Sequence, residues 1–452
     1  MVKIIQNFLD NNPGTRDAIR LITNIRTYNK QYNFLKKSID WDREKIEEYQ
    51  INELKKIIKH AYQNVPYYTK LFKNLGLEPN DFQSFKDLIK LPFITKKIIR
   101  RNLEDFKAKN YPKFKIQQIS TGGSTGEPLH IYCERGAADA RYIAYLQTIF
   151  KQSNCSYSNR HIYITGVNKI YKSQFFGRIM LISSFFINDK NLPLIIQKIR
   201  KFKPRFIVSY PSAIIKITRF INKKNLAPFS NIKSIVCAGE ILYNNQRELL
   251  KKTYNCEVYG FYNHAELTVF AGTCNFNYIY HIYPEYGFCE LIDKNNKTVS
   301  SDGGKGEIIG TGFFNYVFPL IRYRTNDIGI LTNKKCECGR NYLSLKSIEG
   351  RLQYYVISKT NKQISLMGIS SIIVKSSNNI DDCQFLQETE GELILSIVKD
   401  KNFSKSDEVN LINNLTKKFG KEINLKIRYV ENIDRSVSGK TKFLIQKLPV
   451  EY

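Results

Sequence analysis

No stretch of this chain approaches the roughly 18 consecutive apolar residues that a membrane-spanning helix needs. The first ten residues, Met1 to Asp10, are too few and too polar for a secretory signal, so the expected location is cytoplasmic. Nine cysteines scattered irregularly through 452 residues do not describe a disulfide scaffold. No glycine-rich loop closes on Gly-Lys-Ser/Thr, which excludes a Walker A nucleotide site. Nor is there a nucleic-acid-binding module, internal repeat or low-complexity tract. Acidic residues are scarce: 41 against 70 lysines and arginines, a formal charge of +29. The surplus is spread in small groups, such as Lys96-Lys97, Arg100-Arg101, Lys198 to Arg205 and Lys417-Lys418, rather than gathered in one tail. It reads as a lysine-rich surface or as a weak attraction to a membrane surface or polyanion; nucleic acid is not an expected partner.

What remains is ordinary globular material, 42% apolar and 25% charged, long enough for two or three domains. Ile46, Tyr49, Leu54, Ile57, Ile58 and Ala61 recur at helical steps, so 43–75 reads as helical, interrupted at Pro66. Asn80 and Asp81 suit a helix start after Pro79. From about 115, short β-rich runs such as His161–Thr165, Phe206–Tyr210 and Ile235–Ala238 alternate with helix-like segments, the pattern of an α/β core. A second change follows Gly350-Arg351. Strands near 354–358, 364–367 and 393–398, a polar helix at about Lys405–Phe419 and a last strand at 425–430 read as a small α+β unit. The expected division is 1–348, helical to about 115, and 349–452.

The most informative segment is Ser120 to Pro128, STGGSTGEP. Three glycines and four hydroxyls let backbone N–H groups converge on an anion and leave room for phosphate. Other motifs stand in order around it: 60–68 (HAYQNVPYY), 91–96 (LPFITK), Tyr210-Pro-Ser212, Ala238-Gly-Glu240, Tyr262-Asn-His-Ala-Glu266, Pro319 to Asp327 (PLIRYRTND), Gly350-Arg351 and Ser438-Gly-Lys440. Together they resemble the adenylate-forming superfamily, most closely its phenylacetate–CoA ligase-like branch with the CapK-type proteins. The resemblance runs from about residue 45 to the end. It implies an α/β fold: a large N-terminal adenylate-forming domain with a smaller, mobile α+β C-terminal lid.

The resemblance also implies roles. Thr121, Gly122, Gly123, Ser124, Thr125 and Gly126 would hold the ATP phosphates, and Gly239 and Glu240 the adenine side. Asp327 would take the ribose hydroxyls and Arg324 would lie near the phosphates. Glu266 would hold Mg²⁺, a hard cation suited to oxygen ligands. Lys440 would bring a charge to the α-phosphate when the lid closes, with His264 near the reacting groups. Tyr210 and Ser212 would line the substrate side. The expected activity is ATP-dependent activation of a small carboxylic acid to an acyl-adenylate, then transfer to CoA or a sugar-linked amine or hydroxyl, in surface polysaccharide biosynthesis. Transfer of AMP itself to an acceptor, and a degenerate protein serving a polysaccharide assembly, are the other readings. Asn263 and Asn326 stand where the family often has Gly, and Asn tolerates left-handed backbone. Glu127 stands where relatives carry Lys.

Cys336 and Cys338, one residue apart on a turn, suit one tetrahedral metal better than they suit each other. Cys274 and His281 follow the Glu266 motif as the cysteine pair follows Asp327. Because those motifs converge, the four ligands form a candidate structural zinc site with no open position.

Overall fold

The computed structural model describes residues 24–120, 129–174, 177–351, 355–366, 369–377, 379–434 and 441–448. The loop Thr121–Gly126, Glu127 and Lys440 lie outside the described residues.

The helical segment forms in pieces: α1 (Ile25–Ser38), α2 (Arg43–Asn64) and α3 (Pro66–Leu75). Asp42 caps α2 by accepting from Lys45 N at 2.8 Å. Pro66 cannot continue a helix but suits the first position of a new one, where its missing N–H costs nothing. The helix start expected at Asn80-Asp81 is a correction: Pro79–Asp81 makes a single 3-10 turn. The turn ends at Phe82, whose buried ring lies 5.6 Å from that of Phe72. The short helix α4 (Lys96–Arg101) follows.

A hairpin of β1 (Ile116–Ser120) and β2 (His130–Glu134) brackets the glycine-rich loop. After α5 (Ala137–Lys151) comes the α/β core. Its strands are β3 (His161–Thr165), β4 (Tyr171–Gln174), β5 (Ile179–Ser183), β6 (Phe206–Ser209), β7 (Ser234–Cys237) and β8 (Glu257–Asn263). All pair in parallel except the edge strand β4. Helices α6 (Leu192–Phe202), α7 (Pro211–Lys223) and α8 (Asn244–Tyr254) cover it. Ile195, Ile196 and Ile199 of α6 and Ile214, Ile217 and Ile221 of α7 bury one face each, the burial that drives these helices to form.

From β8 the sheet turns antiparallel through β9 (Phe270–Gly272), β10 (Tyr280–Ile282), β11 (Gly287–Ile292), β12 (Lys305–Gly312), β13 (Tyr323–Thr332) and β14 (Ser344–Arg351). Gly312 allows a close approach: a Cβ there would stand 2.6 Å from Leu267 O. The segment carrying Glu266 can therefore lie directly on β12. Gly350 and Arg351 close β14, paired with Ile328 and Asp327 of β13, so the expected boundary at 348/349 falls inside a strand of the large sheet.

The C-terminal part has its own sheet. After the hairpin β15 (Tyr355–Ile357) and β16 (Gln363–Ser365) come α9 (Ile369–Ser376), β17 (Ile380–Gln387), β18 (Glu392–Lys399), α10 (Lys405–Phe419), β19 (Asn424–Tyr429) and β20 (Leu444–Gln446). The sheet order is β19-β18-β17-β20, over a core that includes Phe385, Leu395, Leu411 and Leu415. The helix expected at Lys405–Phe419 matches α10, while α9 and β17 had no sequence expectation. Among the described residues no helix is long and apolar enough to cross a membrane.

The N-terminal region is joined to β13 by a short parallel seam. Ile94 N donates to Arg322 O at 3.0 Å, and Arg324 N donates to Ile94 O at 2.9 Å. Arg322 closes it from inside, buried and left-handed at φ +54°. Its guanidinium forks onto Glu290, 3.2 and 3.0 Å, and donates to Leu91 O at 2.9 Å. Arg322→Ala should therefore destabilise the fold by about 3–5 kcal/mol, because it leaves the largely covered Glu290 carboxylate unpaired. Arg322→Lys should recover little, since an ammonium cannot fork. Denaturant titration of the three proteins checks this; wild-type stability in Arg322→Ala would refute the clamp.

Candidate functional site

The carboxylate Glu266 sits on the turn after β8, 4% exposed. Tyr323 donates its hydroxyl to Oε1 at 2.5 Å, and His264 Nδ1 lies 3.2 Å from Oε2. Lys96 Nζ stands 4.0 Å from Oε1. Burial pushes this carboxyl up, but the hydrogen bond and charge of His264, the charge of Lys96 and the Tyr323 hydroxyl outweigh burial and hold it well below the usual carboxylate range. Glu266 is thus an ionised carboxylate in a dry place, the donor type that Mg²⁺ takes. His264 is fixed on its other side by Thr268 Oγ1, 3.2 Å from Nε2.

Asp327 lies on β13, four residues beyond Tyr323. Tyr262 donates its hydroxyl to Oδ2 at 2.8 Å. Burial and the Asp327 charge push the Tyr262 pKa well up, which keeps it a donor. The strand divides its labour by parity. Tyr323 serves Glu266, Thr325 Oγ1 donates to Ile308 O at 2.7 Å, and Asp327 faces Tyr262; all three are buried. The alternate residues serve the buried Glu307. Arg324 forks onto it at 2.8 and 2.6 Å, and Asn326 N donates to it at 2.9 Å. Asn326 is left-handed at φ +61°, as its substitution for Gly predicts. Asn263 is not: it ends β8 as ordinary strand, so there Asn replaces Gly without a left-handed backbone.

On the turn after β7 Gly239 is left-handed at φ +78°. Glu240 accepts from Ser212 N at 2.9 Å and Ser212 Oγ at 3.0 Å, capping α7. It also accepts from Thr441 N at 3.1 Å, across to the C-terminal unit. Ser212 thus faces Glu240 and a cavity between the two parts of the chain. Tyr210, its pKa raised chiefly by burial, lies 3.3 Å from Thr165 Oγ1.

Cys274, His281, Cys336 and Cys338 converge, with all four ligand atoms within 4.8 Å of one another. Cys274 Sγ lies 3.4 Å from Cys336 Sγ, and Cys338 Sγ 3.5 Å from His281 Nε2. A disulfide needs about 2.05 Å between sulfurs. Metal bonds of ~2.3 Å at the tetrahedral angle space thiolates by about 3.8 Å, close to what is found. His281 Nδ1 lies 3.2 Å from Ser344 Oγ, a contact that orients the ring and turns Nε2 toward the cysteines. The cluster closes the loops around β10 at the end of β13 far from Asp327.

Sequence reasoning missed Lys96, Tyr262, Tyr323, Glu307 and Thr441 as parts of this constellation, although the first three stand inside motifs it picked out.

Residues 356–447 match the CapK C-terminal domain family. Over 422 residues the chain is 26% identical to protein CapK of Staphylococcus aureus, covering 89% of each. It is 26% identical over 319 residues to phenylacetate–coenzyme A ligase of Aromatoleum evansii, 67% of this chain and 69% of that one. Among solved structures, 2-hydroxyisobutyryl-CoA ligase in the postadenylation state superposes with a TM-score of 0.73 at 17% identity, covering 90% and 91% of the two chains. The same ligase in the thioesterification state gives 0.60 at 18% identity with the same coverage. The fold is that of the adenylate-forming ligases, and the chain is a phenylacetate–CoA ligase-like and CapK-like protein.

Because the folded-state pKa of Glu266 lies below its unfolded value of about 4.3, its ionised form adds stability above that pH and loses it as the pH falls further. The stability gap between wild type and Glu266→Gln, read by denaturant titration, should therefore narrow steadily below about pH 4.3. A gap constant across that range would mean that Glu266 is not ionised in the fold.

Proposed function

We propose that this CapK-like and phenylacetate–CoA ligase-like chain is an adenylate-forming ligase that activates a small carboxylic acid with MgATP and passes the acyl group on. The observation that carries the reading is the pair of buried, oriented acids Glu266 and Asp327, brought to one place by β8 and β13. A carboxylate oxygen of the acid attacks the α-phosphorus; the new P–O bond forms as the bond to the β-phosphate oxygen breaks and pyrophosphate leaves. An acceptor then attacks the acyl carbon and AMP departs.

Two anions meet in the first step, so the protein's task is positioning and charge stabilisation. Thr121–Gly126 would cradle the phosphates, and Asp327, aimed by Tyr262, would accept from the ribose hydroxyls. Arg324 acts on the nucleotide side through Glu307 and the Asn326–Asp327 turn. Mg²⁺ on Glu266 would neutralise charge developing on the phosphates, while Lys96 and His264 hold that carboxylate ionised and fixed. Lys440, one residue before the tethered Thr441, would meet the α-phosphate. Residues after Arg351 would form the lid, hinged where β14 ends at Gly350-Arg351. CoA is the acceptor the ligase relatives favour. A sugar-linked acceptor in surface polysaccharide assembly is the alternative destination of the acyl group, carried only by the resemblance of the sequence motifs to CapK-type proteins. We also propose that Cys274, His281, Cys336 and Cys338 hold structural zinc.

The test is pyrophosphate release across a panel of carboxylic acids, with the AMP-bearing product weighed. An acyl-AMP mass is expected; AMP joined to something other than the acid would redirect the reading to adenylyl transfer. With the best acid, Lys440→Ala should nearly abolish adenylate formation while sparing ATP binding and the use of supplied acyl-adenylate, and Lys442→Ala should be mild. The reverse ranking would move the catalytic lysine by two residues.

Zinc is checked separately. Protein purified without chelator should carry about one zinc per chain, and Cys336→Ser should lose metal and thermal stability together. Metal-free wild type would end this assignment.

A further inference from the structure

From Phe106 to Gly126 the chain carries Lys107, Lys109, Lys113 and Lys115 and no acid. Lys107 is answered by Glu104, 2.5 Å away. The other three are exposed and have no acidic partner among the described residues. Lys113–Lys115 forms a 3-10 turn. Phe114 at its centre is 72% exposed, the barest aromatic ring among the described residues. This exposure is built. Lys115 N donates to Pro112 O at 2.9 Å, Arg135 N donates to Lys115 O at 2.7 Å, and Lys109 N donates to Asn64 O at 2.9 Å. Arg135 adds a fourth exposed cation, its guanidinium donating to Ile116 O at 3.0 Å. Of the neighbouring acids, Glu104 holds Lys107 and Tyr132, and Glu134 faces Arg141 at 3.6 Å. Asp105 is left as the exposed acid at the edge of the run.

We propose that the turn Pro112–Lys115, with Lys109 and Arg135, docks this protein on an anionic lipid surface. Charge complementarity names the partner. Each basic side chain beside anionic headgroups strengthens binding about fivefold. A phenylalanine ring reaching the acyl boundary adds about tenfold, while the lysine stems lie along the interface and keep their charges in water. A protein groove would ask for a continuous apolar face, and here lysines flank the single ring. Single-stranded nucleic acid asks for a groove lined with successive stacking rings. Residues 112–115 are instead all exposed, a projecting turn with one ring. One ring and four charges make a reversible peripheral contact, not an anchor. Ser120 and His130 pair at the opposite end of the hairpin, about 13 Å along the strand, so the docked turn leaves that end clear.

Flotation of the full chain with lipid vesicles tests it. The protein should rise with vesicles of phosphatidylcholine mixed with phosphatidylglycerol, not with phosphatidylcholine alone, and should be released by high salt. Phe114→Ser keeps every charge and should weaken binding about tenfold. Lys113→Glu combined with Lys115→Glu should weaken it on the order of a hundredfold or more. Lys417→Glu combined with Lys418→Glu, an equal change of net charge at exposed positions of α10, should bind as wild type. Unchanged thermal midpoints are expected, since every altered side chain is exposed. Failure of wild type to float, or equal loss in the α10 variant, overturns the proposal; the second outcome would assign the affinity to net charge alone. Wild type that ignores vesicles but binds single-stranded RNA through Phe114 would give the turn to nucleic acid instead. Vesicle binding is read without turnover, so the result stands apart from the ligase assignment.

Discussion

The seam between Leu91–Lys96 and the start of β13 is the constraint on which the site depends. Two backbone hydrogen bonds at Ile94 align the N-terminal region with Arg322 and Arg324, and Arg322 seals the join from within. One consequence is that Lys96 arrives beside Glu266, from 170 residues away in sequence. Another is that Arg322 is held in a left-handed backbone that costs a non-glycine residue free energy. Four interactions over-determine that conformation: the fork onto Glu290, the bonds to Leu91 O and Thr311 Oγ1, and the face of Phe93.

The distribution of acids gives the overall charge a second meaning. Although basic residues far outnumber acidic ones, three glutamates near the site, two buried and Glu290 partly so, each have a cation: Glu266 with Lys96, Glu290 with Arg322, Glu307 with Arg324. Buried pairs of this kind contribute little net stability compared with apolar packing, but they are costly to break. Their value here is orientation. Each fixes a backbone turn on which a functional group stands, and the unmatched positive charge is left to the surface.

Much of the large fold was legible because local signals and tertiary packing agree. His161–Thr165 and Lys405–Phe419 needed only periodicity and turn residues. The convergence of Cys274, His281, Cys336 and Cys338 was legible because each pair follows a motif that the fold brings together. Lys96, Tyr262, Tyr323 and Glu307 were visible as residues but not as parts. Their partners lie 17 to 170 positions away, and nothing in a lysine or tyrosine says which carboxylate it will meet. Asn263 and Asn326 make the same point: identical residues in similar motifs, one in strand backbone and one left-handed, because only the second must turn back to Glu307.

The alternation along β13 also bears on how such a site can change over generations. Substitutions there have graded effects, since each residue holds its own small set of contacts. Insertions and deletions do not. A one-residue shift between Tyr323 and Asp327 would exchange the set that faces Glu307 with the set that faces Glu266 and Tyr262, the parity flip inherent in a period of two. The strand can therefore be rewritten letter by letter, but its length between those two residues can change only in pairs.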